Sequence, residues 1–130
     1  MTLNIWSGAG SLASALTNPT ELAFKKGKLD THYPVEFRGK LYSDAETAYQ
    51  CLKIGETEAD DDLMARIIMM KFQQHKDLAT RVTALGGIDF LKTCRHFTGA
   101  RSARFRSWEG FGESSRFIRN LIAGYKLSLE

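Results

Sequence analysis

The sequence is poor in the residues that staple small folds or bind metals. Its 130 residues include only two cysteines, Cys51 and Cys94, and neither lies in a CxxC pair. We therefore expect no disulfide framework. We expect two free thiols in a reducing compartment. The three histidines, His32, His75 and His96, are scattered along the chain without the spacing of metal ligands. We therefore expect no metal site.

Long apolar runs are also missing. No stretch approaches the roughly 20 apolar residues that cross a bilayer, and the N-terminus lacks the basic and apolar regions of a secretory signal. We therefore expect no membrane association and a cytoplasmic location. The composition, 43% hydrophobic and 25% charged, is that of an ordinary globular protein. This length predicts a single domain over residues 1–130.

Charge is present but unevenly spread. The net charge is +3, yet residues 95–119 hold six arginines against two acids, a local excess of +4. Residues 56–62 hold five acids and no base. The basic segment indicates where an anionic partner, such as a phosphate or a nucleic acid, would bind. The alternative is a solvated basic loop.

Residue patterns predict an α+β, mainly α, compact domain with a few short strands near the N-terminus. Helices are expected over 12–16, 43–54, from 60 to about 75, and over 77–85, 88–93 and 113–127. Strands are expected over 3–6, 35–37 and 41–42, with a turn at 38–40 between the last two. Residues 95–112 have little apolar periodicity, so we expect an extended loop there, and loops of this length are usually functional.

The helix that follows residue 42 carries the best candidate chemistry. Ser43 and Glu46 fit a capping box, in which the serine caps the amide of Glu46 and the glutamate reaches back. Seven residues make nearly two turns, so Glu46 and Lys53 project on almost the same face, with Tyr49 and Gln50 between them. A carboxylate, a phenol, an amide and an ammonium then line one groove. The alternative is that Glu46 is only a cap and Lys53 only a solvated charge.

The arginine-rich loop is the second candidate. Arg104, Arg106 and Arg116 are suited to bidentate phosphate binding beside a helix N-terminus. Trp108 lies next to Gly110 and offers a stacking face. The alternative is a solvated loop in which the tryptophan fills the core.

These residues resemble a known family. The pattern YSxAExAYQxxK over residues 42–53, preceded by Gly39, is similar to the central signature of the NADAR superfamily, named for NAD and ADP-ribose and also called YbiA-like. KFxQHxxL over 71–78 resembles its Lys-Phe-x-Gln segment. LNIWS over 3–7, LTN over 16–18 and WEGFG over 108–112 are similar to its opening strand, its Phe-Ser-Asn element and its Trp-Gly-rich loop.

The resemblance implies a compact, mostly helical fold that cleaves N-glycosidic bonds. Members act on ribosylamino-pyrimidine phosphates or remove ADP-ribose from guanine bases in nucleic acid. Carried over to this chain, Glu46 is the catalytic carboxylate and Lys53 its neighbour. Trp6, Asn18 and Trp108 are then residues of the pocket.

Physical chemistry agrees with these roles. Breaking a ribosyl C–N bond passes through an oxocarbenium-like state that a carboxylate stabilises, and the carboxylate can also orient or deprotonate water. Lys53 or Gln50 can hydrogen-bond or protonate the leaving base. Arg104, Arg106 and Arg116 can hold the phosphate. Neither a metal nor an organic cofactor is required.

The chain also departs from the family pattern. Phe105 stands where an aspartate is usual, three residues before Trp108, and Glu109 follows the tryptophan where glycine is usual. Glu109 is a candidate replacement for the missing acid. The change to phenylalanine favours a second hypothesis, a module that binds ADP-ribose or another nucleotide without cleaving it. A third is a small basic protein that binds nucleic acid through residues 95–119.

Overall fold

The computed structural model describes residues 2–99 and 102–130, apart from the side chain of Arg104. Helices dominate this part of the chain, and the predicted α+β, mainly α class is confirmed. The helices are α1 Ser11–Ala15, α2 Thr20–Lys25, α3 Ala45–Leu52, α4 Thr57–Gln74, α5 Lys76–Ala84, α6 Ile88–Thr93, α7 Ala103–Arg106 and α8 Arg116–Ser128. The strands are β1 Val35–Phe37, β2 Lys40–Tyr42, β3 Arg95–His96 and β4 Gly110–Phe111, and a 3-10 turn spans Gly112–Ser114.

Strands β1 and β2 form the predicted hairpin. Arg38 and Gly39 both have positive φ, 51° and 80°, the geometry of a two-residue type I′ turn. Val35 pairs with Tyr42, and Phe37 pairs with Lys40, so the lysine that we placed in the turn belongs to β2. Because side chains alternate along a strand, Val35 and Phe37 both enter the core while the residue between them is exposed.

The second strand pair was not predicted. Strands β3 and β4 pair antiparallel inside the segment expected to be a loop, which also contains α7. The predicted opening strand over 3–6 is wrong, because the described chain makes only a single parallel bridge between Asn4 and Arg95. The strand propensity of residues 3–6 does not by itself produce a strand. The only partner strand beside them in the described chain, β3, has two residues and is too short to pair with all four.

Helices α4 and α8 make the most extensive contact between elements of the described chain. Gly124 makes their close approach possible, because a Cβ there would lie 2.6 Å from the Ile68 side chain and 2.7 Å from the Ala65 carbonyl oxygen. Phe72 of α4 and Tyr125 of α8 meet edge to face with ring centroids 5.5 Å apart. This pair forms the scaffold on which the remaining elements lie.

Helix α4 begins three residues earlier than predicted. The carboxylate of Glu56 caps the amides of Glu58 and Ala59, which starts the helix at residue 57. Asp60 is buried and turns back to accept hydrogen bonds from the amides of Ile54 and Gly55, both at 2.8 Å. None of the helices in the described ranges has the length and apolarity to cross a bilayer.

Candidate functional site

A cavity of about 980 Å³ opens between α3 and the segment that leads into α8. It gathers residues that are far apart in sequence. Nine of the predicted site residues line it: Trp6, Asn18, Glu46, Tyr49, Gln50, Lys53, Trp108, Glu109 and Arg116. Arg106 is exposed and is not part of the lining, because the short helix α7 carries it outside the cavity. The side chain of Arg104 lies outside the described residues.

Asp44, not Ser43, caps the N-terminus of α3. Its Oδ1 accepts the amide of Thr47 at 2.8 Å, while its Oδ2 accepts the amide of Glu21 at the start of α2. The predicted capping box is therefore wrong, since a buried carboxylate that satisfies two helix starts displaces the serine hydroxyl. One aspartate thereby joins α2 to α3.

The side chain of Glu46 takes no part in capping α3. Its carboxylate does not reach back to its own helix start; Oε2 accepts a hydrogen bond from Gln50 Nε2 at 2.8 Å, one turn along the helix. The side chain is partly buried and lines the cavity. The carboxylate thus faces open space beside an amide donor instead of being used within the first turn.

Asn18 lies in the turn between α1 and α2 and is coupled to Glu46 through the backbone. Its carbonyl oxygen accepts the Glu46 amide at 3.1 Å and the Thr20 amide at 2.9 Å. Its side chain is only 4% exposed and lines the cavity, and its Oδ1 has no hydrogen-bond partner in the described structure. A buried acceptor without a partner costs free energy unless a ligand donates to it.

Lys71 fixes this turn from beneath. Its Nζ donates to the carbonyl oxygens of Ala15 and Thr17, each at 2.6 Å, and the side chain is fully buried. Burial lowers the pKa of Lys71 from 10.5 to about 7, and the nearby charge of Asp44 acts in the opposite direction. Lys71 is not part of the cavity lining, so the Lys-Phe segment supports the site from the core.

The aromatic wall near the start of the chain was predicted in part. Trp6 lines the cavity, and its indole lies so close to Gly8 that a Cβ there would approach within 2.5 Å. The ammonium of Lys26 lies 5.3 Å from the centroid of this ring and donates to Ser7 Oγ at 2.8 Å.

Lys53 and Glu46 both line the cavity but not as one helical face. Helix α3 ends at Leu52, and Lys53 has an extended backbone with φ −63° and ψ 148°. Its Nζ lies 5.7 Å from the Tyr49 ring centroid, and among the described residues it makes no ion pair with Glu46. Burial raises the pKa of Tyr49, so the phenol stays protonated at neutral pH.

The opposite wall is built on Trp108 and Arg116. The guanidinium carbon of Arg116 lies 3.9 Å from the indole centroid, and Nε donates to Asp61 Oδ1 at 2.6 Å. Both side chains of this ion pair are largely buried, with 17% and 31% of their surface exposed. The arginine is therefore fixed by a stacked ring on its face and a carboxylate on its Nε edge.

The N-terminus of α8 cannot serve as the predicted phosphate site. The amides of residues 116–118 donate to the carbonyls of Ser107 and Trp108 and to the Ser115 hydroxyl. Since these amides already have acceptors in the described structure, they are not available to an anion.

Glu109 and Phe105 both line the cavity. The Glu109 Oε2 accepts hydrogen bonds from the Thr98 amide at 2.6 Å and from its hydroxyl at 3.0 Å. His96 also lines the cavity, and burial lowers its pKa, against the effects of the Ile5 carbonyl and of Glu109. The imidazole is therefore expected to be neutral at pH 7.

Comparisons with models of known protein families, with curated proteins and with solved structures find no match. The resemblance to the NADAR superfamily stays a prediction. In the described residues no group of three or more histidines, cysteines or acids has the geometry to hold a metal ion.

The sequence analysis did not assign Lys26 and His96, which line the cavity, or Asp61, which is partly exposed and anchors Arg116. The first two lacked any motif, and only the fold brings them to the cavity. Asp61 lay in the acidic stretch over residues 56–62. A signal existed in that stretch, because a run of acids far from the basic segment can pair with it in three dimensions.

Proposed function

We propose that this chain hydrolyses the N-glycosidic bond of a ribose-phosphate compound, with Glu46 as the catalytic carboxylate. One observation carries the proposal. Glu46 lines a cavity together with an unpartnered buried acceptor on Asn18 and a fixed guanidinium on Arg116. This set offers groups for a developing sugar cation, a hydroxyl donor and an anion.

The chemistry assigns one role to each group. As the C–N bond breaks, positive charge develops on the sugar and the Glu46 carboxylate stabilises it; water then forms the new C–O bond, and Glu46 orients this water and accepts its proton. Gln50 donates to Glu46 Oε2 and so holds the carboxylate orientation. Lys53 hydrogen-bonds or protonates the leaving base. Asn18 Oδ1 accepts a hydrogen bond from a sugar hydroxyl.

The size of the cavity supports a substrate larger than a bare sugar phosphate. A volume of about 980 Å³ lies at the upper end of typical ligand pockets, roughly 300–1,000 Å³. Trp6 and Trp108 both line the cavity and supply aromatic contact area for a base. Both proposed substrates, an ADP-ribosylated guanine in nucleic acid and a ribosylamino-pyrimidine phosphate, carry the required bond. With both cysteines free, we also propose a cytoplasmic location.

The second candidate is a nucleotide-binding module without activity. Phe105 lines the cavity where the family pattern has an aspartate, so a second acid is missing at that position. Glu109 also lines the cavity and supplies a carboxylate from another direction. The phenylalanine at position 105 favours binding without cleavage, unless Glu109 takes over the role of the missing aspartate.

The test is product release, measured by mass spectrometry with both substrate classes. We expect a free base from one class, and a loss of about 10²–10⁴-fold in kcat for Glu46→Gln, since the amide keeps the shape but loses the charge. Glu58→Gln, an exposed residue outside the cavity, is the matched control.

Two outcomes would contradict the proposal. Full turnover by a folded Glu46→Gln variant would remove Glu46 from the catalytic role. Thermal stabilisation by these compounds with no product from either would favour the binding module.

A further inference from the structure

Asp61 binds Arg116, and Asn120 binds Asp61. The proposed chemistry uses neither residue. Asp61 lies on α4, 55 residues from Arg116 in sequence, and its Oδ1 accepts from Arg116 Nε at 2.6 Å. The same oxygen accepts from Asn120 Nδ2 at 3.0 Å, one helical turn beyond Arg116 on α8. The amide of Asn120 is 6% exposed, so this arrangement is largely removed from water.

The geometry leaves one edge of the guanidinium for a ligand. Trp108 covers a face of the group at 3.9 Å, and Asp61 occupies Nε. In the described part of the chain the two Nη nitrogens make no hydrogen bond, and Arg116 lines the cavity. An Nη1–Nη2 edge of this kind matches two oxygens of a phosphate.

We infer that Asp61 and Asn120 are positioning residues that orient Arg116, so that its Nη edge binds a phosphate of the substrate. The inference rests on the proposed function for the class of ligand, a ribose phosphate. It assigns the phosphate subsite to the Trp108 end of the cavity. Asp61 then favours phosphate binding by orienting Arg116, although its negative charge alone would repel a phosphate.

That opposition makes the inference testable. If Asp61 acted only through its charge, it would compete with the phosphate, and its removal would tighten anion binding. If it acts by positioning, its removal frees a flexible side chain that must be ordered again on binding, and affinity falls. The two accounts predict changes of opposite sign.

The experiment compares the binding of ribose 5-phosphate with that of ribose by NMR titration, without turnover. For Asp61→Ala we expect the ribose 5-phosphate Kd to rise about tenfold while that of ribose stays constant. Asp61→Asn keeps an acceptor for Nε and should restore the wild-type affinity. Asn120→Ala should raise the Kd by about threefold, because Asp61 keeps its contact with Arg116.

A matched control lies one residue along. Asp62 pairs with Arg66 Nε at 2.9 Å in an exposed contact outside the cavity, so Asp62→Ala should leave both Kd values unchanged. The Arg116 Nε–H and Trp108 indole resonances report the orientation directly. They should move in Asp61→Ala and not in the control.

Steady-state kinetics add a readout that a merely structural role would not give. A positioned phosphate contact persists from the ground state to the transition state, so Asp61→Ala should raise KM and leave kcat nearly constant. Equal or tighter binding of ribose 5-phosphate by a folded Asp61→Ala variant would overturn the inference. A wild-type protein that binds ribose as well as ribose 5-phosphate would also overturn it, whatever the outcome for Glu46.

Discussion

The two walls of the cavity are stabilised in different ways. The first wall, Asn18 and Glu46, is fixed by a backbone hydrogen bond between the two residues and by the Asp44 cap at the start of α3. The second wall, Trp108 and Arg116, is fixed by a stacked ring and an ion pair to a distant helix. Helix starts and a backbone contact therefore position the first wall, whereas the orientation of Arg116 in the second wall depends on side-chain contacts.

The largest effect should come from Asp44, which joins α2 and α3 beneath the first wall. Asp44→Ala removes the acceptor of two helix-start amides, and we expect a loss of about 3 kcal/mol in the free energy of unfolding. Because Glu46 lies two residues further on, kcat should fall as well. Chemical denaturation and turnover measure the two effects.

Ser43→Ala is the matched control for Asp44. The sequence pattern gave this serine the capping role, and the structure gives it to Asp44. We therefore expect Ser43→Ala to change stability by less than about 0.5 kcal/mol. A larger loss for Ser43→Ala than for Asp44→Ala would mean that the capping box forms after all.

Lys71, also beneath the first wall, should make stability depend on pH. Its pKa is about 7 in the folded protein and near 10.5 when unfolded, so between these values the unfolded chain binds more protons. The free energy of unfolding should therefore rise with pH above 7, and this group should add no slope below it. Relative to Lys71→Met, the wild type should gain about 2 kcal/mol between pH 7 and pH 9.

Denaturant titrations of both proteins at several pH values measure this difference. Lys76→Met is the control, because it makes the same substitution at an exposed lysine. A difference between the wild type and Lys71→Met that stays flat from pH 7 to pH 9 would show that burial does not hold Lys71 in its neutral form.

The smallest effect should come from Ser115, which supports the second wall. Its hydroxyl caps the Ile118 amide at 3.1 Å and donates to the Trp108 carbonyl at 2.5 Å. Ser115→Ala should cost about 1 kcal/mol of stability and raise KM with little change in kcat, because Trp108 loses a support. Ser128→Ala, at the far end of α8, is the control and should leave KM unchanged. An equal KM for both variants would show that Ser115 does not support Trp108.

Local signals explain which parts of the fold were predictable. The hairpin followed from Arg38 and Gly39, and α6 was predicted with its observed bounds because Gly86 and Gly87 end the preceding helix just before it. The bounds of α4 were missed because a glutamate cap at Glu56 gives a weaker sequence signal than serine or aspartate. Strands β3 and β4 were missed because two-residue strands are defined by their partners.

In the candidate site, too, residues that belong to local motifs were placed correctly. Glu46, Asn18 and Trp108 were placed by their motifs, and they line the cavity. Arg106 was placed there by charge alone and lies outside it. Charge density indicates a type of partner but not a direction, since the direction of a side chain depends on the element that carries it.

The sequence by itself determined the helical class, the hairpin and the short motif that carries Glu46, because propensity, turn chemistry and periodicity act within a few residues. Only the tertiary structure decided which charges meet. Asp61 and Arg116 are 55 residues apart and form their ion pair because α4 and α8 pack along each other at Gly124. Contacts of that kind follow from packing, which no local pattern encodes.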